Sequence, residues 1–259
     1  MPIPENAPLP DLHAPRPAQP GTDAPGLTRF PLFAGIDPAL LARADAACTW
    51  QDCEAGQVVL DYDCPSTDVR LVARGGPLRV LMRTTGGREK IVAEVGPGGL
   101  VGELAAIAGP AAPPSAGIVA LHRARLCVLP GPVFLDLALA SPLSARRLLV
   151  TLAERIRAQN RRLLEYAALS TRHRLCAELL RLARPRPPDA GGGLVISPPP
   201  ARPEMAARIG ARREAVSREL AALGRLGLLA VGPRAIVLLD EAALRRQVEA
   251  GMEAAQRLI

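Results

Sequence analysis

The sequence predicts an α+β chain: an antiparallel β domain, one long helix, and a helical unit that carries a β-hairpin. Three observations predict it. Short β-prone runs punctuated by glycine turns fill residues 47–130, the spacing of an antiparallel sandwich or barrel. Apolar side chains recur every three or four residues from Pro142 onward, which is helical periodicity. From Pro203 the order reads helix, glycine, helix, hairpin, helix, as in a helix-turn-helix followed by a wing.

The totals set the frame for these elements. A chain of 259 residues, 49% hydrophobic, can bury two separate cores. Only 2% of it is aromatic, so those cores are expected to be aliphatic. No apolar stretch approaches the roughly 20 residues that span a bilayer. Glu5 and Asp11 precede any apolar run, so no secretory signal is read. Cys48, Cys53, Cys64, Cys127 and Cys176 are odd in number and form no C-x-x-C pair; free thiols in a reducing cytoplasm are expected. Charge divides unevenly along the chain. Residues 1–140 carry 11 basic and 14 acidic side chains, and residues 141–259 carry 21 and 11. A net −3 half joined to a net +10 half points to a polyanion at one end, although arginines also simply solvate helices.

Taken in order, residues 1–26 are proline-rich and aperiodic, and are read as a disordered tail. Asp37 suits the N-cap of a short helix with Leu40, Leu41 and Ala44 on one face. Val58-Val59-Leu60, Val69–Val72 and Leu78–Met82 are strand candidates, and Thr84-Thr85-Gly86-Gly87 a hairpin turn. Ser141 and Pro142 open the long helix. Its stripe of Leu149, Leu152, Ile156, Leu163 and Tyr166, with Gln159 in the missing position, needs a partner surface. That surface is either the chain's own β domain or a second copy of the helix. A second helix is read from Thr171 to Leu182, and a connector from Pro185 to Pro203 carries one short strand, Leu194–Ile196.

The segment Pro203–Ile209 reads as a helix with proline in its first turn, where the missing N–H costs nothing. Gly210 suits the left-handed corner. In the helix after it, Ala215, Val216, Leu220 and Leu223 form a buried face, and Arg213, Glu214, Ser217 and Arg218 the opposite one. Arginine offers a bidentate fork to guanine and glutamate accepts from cytosine N4, so this face is suited to reading a DNA major groove. Gly232-Pro233-Arg234 forms the tip of the wing, with Arg234 placed to touch phosphate.

The run Gly210–Arg218 resembles the recognition helix of the Crp–Fnr family of transcription regulators, and Gly98-Gly99-Leu100-Val101-Gly102-Glu103-Leu104-Ala105 resembles that family's phosphate-binding cassette. The resemblance covers about residues 30–250. It implies a cyclic-nucleotide-binding-like β-roll sensor over 27–140, a dimerisation helix over 141–170 and a winged helix-turn-helix over 171–259. It further implies base contacts from Arg213, Glu214 and Arg218, phosphate contacts from Arg212 and Ser217, a homodimer on inverted-repeat duplex DNA, and RNA polymerase as a partner.

The cassette departs from the family at one point. Cyclic-AMP binders close it with Arg-Ser-Ala, whereas this chain has Pro114-Ser115-Ala116, and no Lys or Arg stands between Glu103 and Arg123. A cyclic phosphate would lose its charge-assisted pair there. Gly102, Glu103, Leu104, Ser115 and Ala116 remain as effector contacts, with Gln159 and Asn160 where the family reads adenine; the two amides also suit a polar break that fixes helix register. Cyclic AMP in its usual pose is therefore not expected, and a cyclic dinucleotide, another small metabolite or no effector is. The alternative reading is a sensor or scaffold that has lost specific DNA binding. No cofactor is expected: residues 1–47 hold no cysteine for an iron–sulfur cluster, and only His122 and Cys127 could serve a haem. Gly96-x-Gly98-Gly99-x-x-Gly102 superficially fits a dinucleotide loop, but the following apolar run stops at Gly109-Pro110, too soon for a Rossmann helix. No catalytic constellation is read.

Overall fold

A computed structural model describes residues 26–62, 64–84, 86–87, 89–109, 116–186 and 193–256. The tail read over 1–26 lies outside the described residues except for Gly26, which opens a 3₁₀ turn (Gly26–Arg29). A second such turn (Pro31–Phe33) leads to α1 (Pro38–Ala47), where the Asp37 carboxylate accepts from the Ala39 N–H at 3.2 Å, as its N-cap role requires.

Eight strands follow, β1 (Thr49–Cys53), β2 (Val58–Leu60), β3 (Val69–Gly75), β4 (Leu78–Arg83), β5 (Glu89–Val95), β6 (Leu100–Val101), β7 (Gly117–Ala120) and β8 (Ala124–Leu129), with α2 (Glu103–Ala108) between β6 and β7. They form two antiparallel four-stranded sheets, ordered β1-β8-β3-β6 and β2-β7-β4-β5. Cys53, Val72, Val101 and Leu126 of one sheet meet Val59, Leu78 and Ile118 of the other in a shared core. The predicted β4–β5 hairpin is present, its turn closed by Gly87 N–H donating to Thr84 at 2.8 Å.

The expectation of purely aliphatic cores needs correcting. The chain's three phenylalanines, Phe30, Phe33 and Phe134, collect in one cluster beneath the β1–β8 sheet, stacked edge to face at 6.4 Å. Phe134 belongs to α3 (Gly131–Leu139), a helix the sequence reading did not separate from the β domain. Nine apolar-rich residues are too short for periodicity to tell strand from helix.

The long helix α4 (Pro142–Ala168) is closed by a reciprocal cap: Ser141 Oγ accepts from the Ser144 N–H, and Ser144 Oγ from the Ser141 N–H, each at 3.1 Å. Its predicted single stripe divides into two rows. Leu152 packs on the sensor core, Gln159 donates to the Val92 carbonyl at 3.2 Å, and Tyr166 donates to the Arg208 carbonyl at 2.9 Å. Leu149, Ile156 and Leu163 stay 65%, 60% and 68% exposed. Residues three apart on a helix are offset by roughly 60°, enough for the chain's own domains to cover one row and leave the other.

The last unit comprises α5 (Thr171–Leu182), β9 (Arg184–Pro185), β10 (Leu194–Ile196), α6 (Arg202–Ile209), α7 (Arg213–Arg225), β11 (Leu229–Val231), β12 (Ile236–Leu238) and α8 (Glu241–Gln256). Its sheet runs β11-β12-β10-β9, and Leu175, Leu179, Met205, Val216, Leu223 and Ile236 centre a separate core. Among the described residues no helix is long and apolar enough to cross a membrane.

Candidate nucleic-acid interface and effector pocket

The corner between α6 and α7 favours glycine on two counts. Gly210 has φ +61°, and a Cβ there would lie 3.1 Å from the Tyr166 ring. The Arg208 carbonyl just before it accepts from both Tyr166 and Arg162 Nη1 (3.1 Å), so α4 holds the corner from behind. α7 then starts at Arg213, with Arg212 as its N-cap residue. Val216, Leu220 and Leu223 anchor it in the core, while Arg212, Arg213, Glu214, Ser217 and Arg218 are exposed.

Two open clefts run along this exposed face. One is lined by Arg202, Pro203, Arg213, Glu214, Ser217 and Arg218, the other by Thr171, Ala211, Arg212, Glu214, Ala215 and Arg218. The Glu214 carboxyl is held below its ordinary range, first by its own backbone N–H and then by Arg213 and Arg212. It therefore stays an acceptor among donors. Arg234 is exposed in the β11–β12 turn, whose backbone is tied down by Ser197 Oγ donating to its carbonyl at 3.1 Å.

The cassette is built differently. Gly102 has φ +90°, and a Cβ there would lie 2.4 Å from the Asp68 carbonyl oxygen, so only glycine turns this corner into α2. Glu103 is 2% exposed, and its carboxylate is ion-paired with Arg155 of α4, which also donates to the Leu100 carbonyl. Gln159, one turn beyond Arg155, reaches β5 and not α2. Leu104 and Asn160 face outward, and Ala116 leads into β7. Pro114 and Ser115 lie outside the described residues. His122 is exposed and Cys127 buried; burial pushes the Cys48, Cys53 and Cys127 thiols up, away from thiolate reactivity.

Comparison with known proteins draws the two sites together. A model of the cyclic nucleotide-binding domain matches residues 50–141, and one of the Crp-like helix-turn-helix domain matches residues 173–247. The cyclic AMP receptor protein of Thermus thermophilus is 33% identical over 222 residues, 86% of this chain and 98% of that protein. The chain belongs to the Crp/Fnr family of transcriptional regulators. A further relative, the CRP-like cAMP-activated global transcriptional regulator of Mycobacterium tuberculosis, is 24% identical over 221 residues, 85% of this chain and 97% of that one. The crystal structure of a second Thermus thermophilus protein, a transcriptional regulator of the CRP/FNR family, is 26% identical and aligns with TM-score 0.59 over 78% of this chain and 98% of its own. A Crp/Fnr structure from Eubacterium rectale shares the fold at TM-score 0.67 and 19% identity, over 85% and 98%.

Two residues of this Crp/Fnr chain escaped the sequence reading. Arg155 has no role in that reading, yet it brings a cation into a cassette that has none locally. Its signal was its position four residues before Gln159, on the same helix face. Arg202 lines the same cleft as Arg213, Glu214, Ser217 and Arg218; its position at the start of α6 was the available clue.

Proposed function

We propose that this Crp/Fnr regulator acts as a homodimer that reads an inverted repeat in duplex DNA, one α7 to each successive major groove. The proposal follows the division into sensor (27–140), dimerisation helix (141–170) and DNA-binding domain (171–259). One observation carries it: Arg213, Glu214, Ser217 and Arg218 are all exposed on one face of α7 and line an open cleft. Arg213, Glu214 and Arg218 would meet base edges, and Arg212, Ser217 and Arg234 the backbone. Leu149, Ile156 and Leu163 recur every seven residues on the uncovered row of α4, the repeat that a second helix buries.

The cassette supports a different use of its residues from that in a cyclic-AMP-activated relative. Glu103, which would hold a ribose hydroxyl, already has Arg155 as its partner. The chain's own guanidinium therefore occupies the carboxylate a nucleotide would need, and cyclic AMP in its usual pose is not the effector. Whatever alters the Glu103–Arg155 pair acts directly on α4, which carries Arg162 and Tyr166 to the helix-turn-helix corner.

The test is selection of binding sites from a pool of randomised duplexes by the full-length protein. Enrichment of an inverted repeat with half-site centres about 34 Å apart is expected. Enrichment of single half-sites would overturn the dimeric reading, and no enrichment would leave the sensor or scaffold reading in its place.

A further inference from the structure

The two domains meet across a cluster of charge that lies apart from the exposed face of α7 and from the cassette. On the sensor, Arg79 of β4 pairs with Glu94 of β5, Nη2 to Oε1 at 2.7 Å. On the DNA-binding unit, Arg208 of α6 pairs with Glu204 at 3.0 Å and with Glu178 of α5 at 3.4 Å. Two further pairs cross between the domains, Arg79 with Glu204 and Arg208 with Glu94. Glu178, 1% exposed, also receives Arg162 of α4 at 3.4 Å and Arg181 of α5 at 2.9 Å, and Arg181 in turn holds Glu165 at 2.6 Å. Four arginines face four glutamates, so the cluster closes without excess charge. β5 is the edge strand of its sheet, and it meets α4 through Lys90 over the Tyr166 ring at 3.4 Å and through Gln159 on the Val92 carbonyl.

The way these charges divide matters more than their number. With α4 kept on the DNA-binding side, separation breaks only the two crossing ion pairs, and the Lys90–Tyr166 and Gln159–Val92 contacts between β5 and α4 open with them. Arg79 keeps Glu94 on the sensor side, while Arg208 keeps Glu204 and Glu178 on the other. A buried charge left alone would make separation prohibitive; here each half remains neutralised, so the contact can open and close. The closed form also leaves the reading face of α7 exposed, since Glu204 and Arg208 project from α6 toward the sensor.

We propose that Arg79, Glu94, Glu204 and Arg208 form a releasable clasp that fixes the DNA-binding domain on the β4–β5 sheet in the orientation that binds DNA. It deepens the proposed function by naming what sets the orientation of α7 when α4 is disturbed. Its physical basis is a two-state contact. Burial works against the Glu94 carboxylate, yet Arg208 and Arg79 outweigh it and hold its pKa below the ordinary range, so the clasp is charged throughout the neutral range.

Amide hydrogen exchange on the full-length protein tests the clasp without reference to DNA. Glu94→Arg places a third cation against Arg79 and Arg208 and is expected to open the clasp. Exchange in residues 89–95 and 202–209 should then rise at least tenfold, with β8 unchanged. Glu94→Gln should give a smaller rise in the same two segments. Unchanged exchange in both segments with Glu94→Arg overturns the proposal. If Glu94→Arg also loosens β8, Glu94→Gln decides on the same readout: a rise confined to the two segments supports the clasp, and none overturns it. Affinity for a selected duplex should fall about tenfold in Glu94→Arg, and a rise would overturn the assignment of the closed form as the binding one. If the wild type selects no duplex, it is the DNA reading that fails, while the exchange data still judge the clasp.

Discussion

The recognition helix and the nucleotide-type cassette are both entered through a left-handed glycine, but they present their polar side chains in opposite ways. After Gly210, Arg213, Glu214, Ser217 and Arg218 point into solvent, tied to little besides one another. After Gly102, Glu103 turns inward and is held by a guanidinium from another element. The first surface is arranged for a partner from outside; the second has an internal partner already. A family likeness that spans both sites therefore does not transfer equally to each. Shared backbone geometry carries over with the fold, whereas ligand occupancy depends on which single side chains face the site.

The sharpest way to break this comparison is at the two glycines. A Cβ at Gly102 would strike a backbone carbonyl 2.4 Å away, and backbone cannot step aside. A Cβ at Gly210 would meet a tyrosine ring at 3.1 Å, and φ +61° with ψ 44° is a conformation other residues can adopt at a cost. Gly102→Ala should therefore destabilise the sensor by about 3 kcal/mol, combining strain with overpacking. Gly210→Ala should cost about 1 kcal/mol. Denaturant titration of the full-length variants measures both. Equal losses would mean that the cassette corner relaxes as readily as the helix-turn-helix corner, and that its rigidity has been overstated.

Next in size is the effect on reading. Arg213→Ala should reduce discrimination at one base pair per half-site by about 1–3 kcal/mol. Non-specific affinity, which rests on phosphate contacts and counterion release, should fall much less. Competition between a selected duplex and a scrambled one, at fixed salt, gives the ratio. If Arg213→Ala weakened both duplexes equally, Arg213 would be a phosphate contact and the base-reading role would pass to Arg218.

The contrast between the sites also explains what could be read from the sequence. The helix-turn-helix elements were legible because their determinants are local: proline in the first turn, glycine at the corner, and buried and exposed faces within one helix; Ala215, read as buried, is half-buried and lines a cleft. Gly102 and Glu103 were singled out through the resemblance to the family's cassette, which is a contiguous run of residues. Arg155 was not, because its partner lies 52 residues away and only the path of α4 across the sensor joins them. The division of the α4 stripe was hidden likewise. Periodicity identifies an apolar face, but not which part of it the chain itself covers, so Leu152 and Leu149 look equivalent until packing separates them. The long-range clasp had no sequence signature, since arginines and glutamates at those positions read as ordinary solvated residues.

The smallest expected effect is the most discriminating one for the cassette. A ligand at about 100 times its dissociation constant adds roughly 2.7 kcal/mol to the stability of the form that binds it. Cyclic AMP would need Glu103 for its ribose and a cation for its phosphate, but the cassette segment holds no Lys or Arg, and Arg155 is engaged with Glu103 and the Leu100 carbonyl. Holding the nucleotide would therefore mean breaking an internal pair whose carboxylate is almost wholly buried, before any new contact formed. Excess cyclic AMP should leave the thermal midpoint of the full-length protein unchanged. A clear upward shift would overturn this expectation, and if it depended on Arg155 it would turn the internal pair from an occupant of the site into the trigger of the regulator. Repeating the melt with Arg155→Met separates the two cases: a shift carried by Arg155 disappears in that variant, and one that persists must come from binding elsewhere.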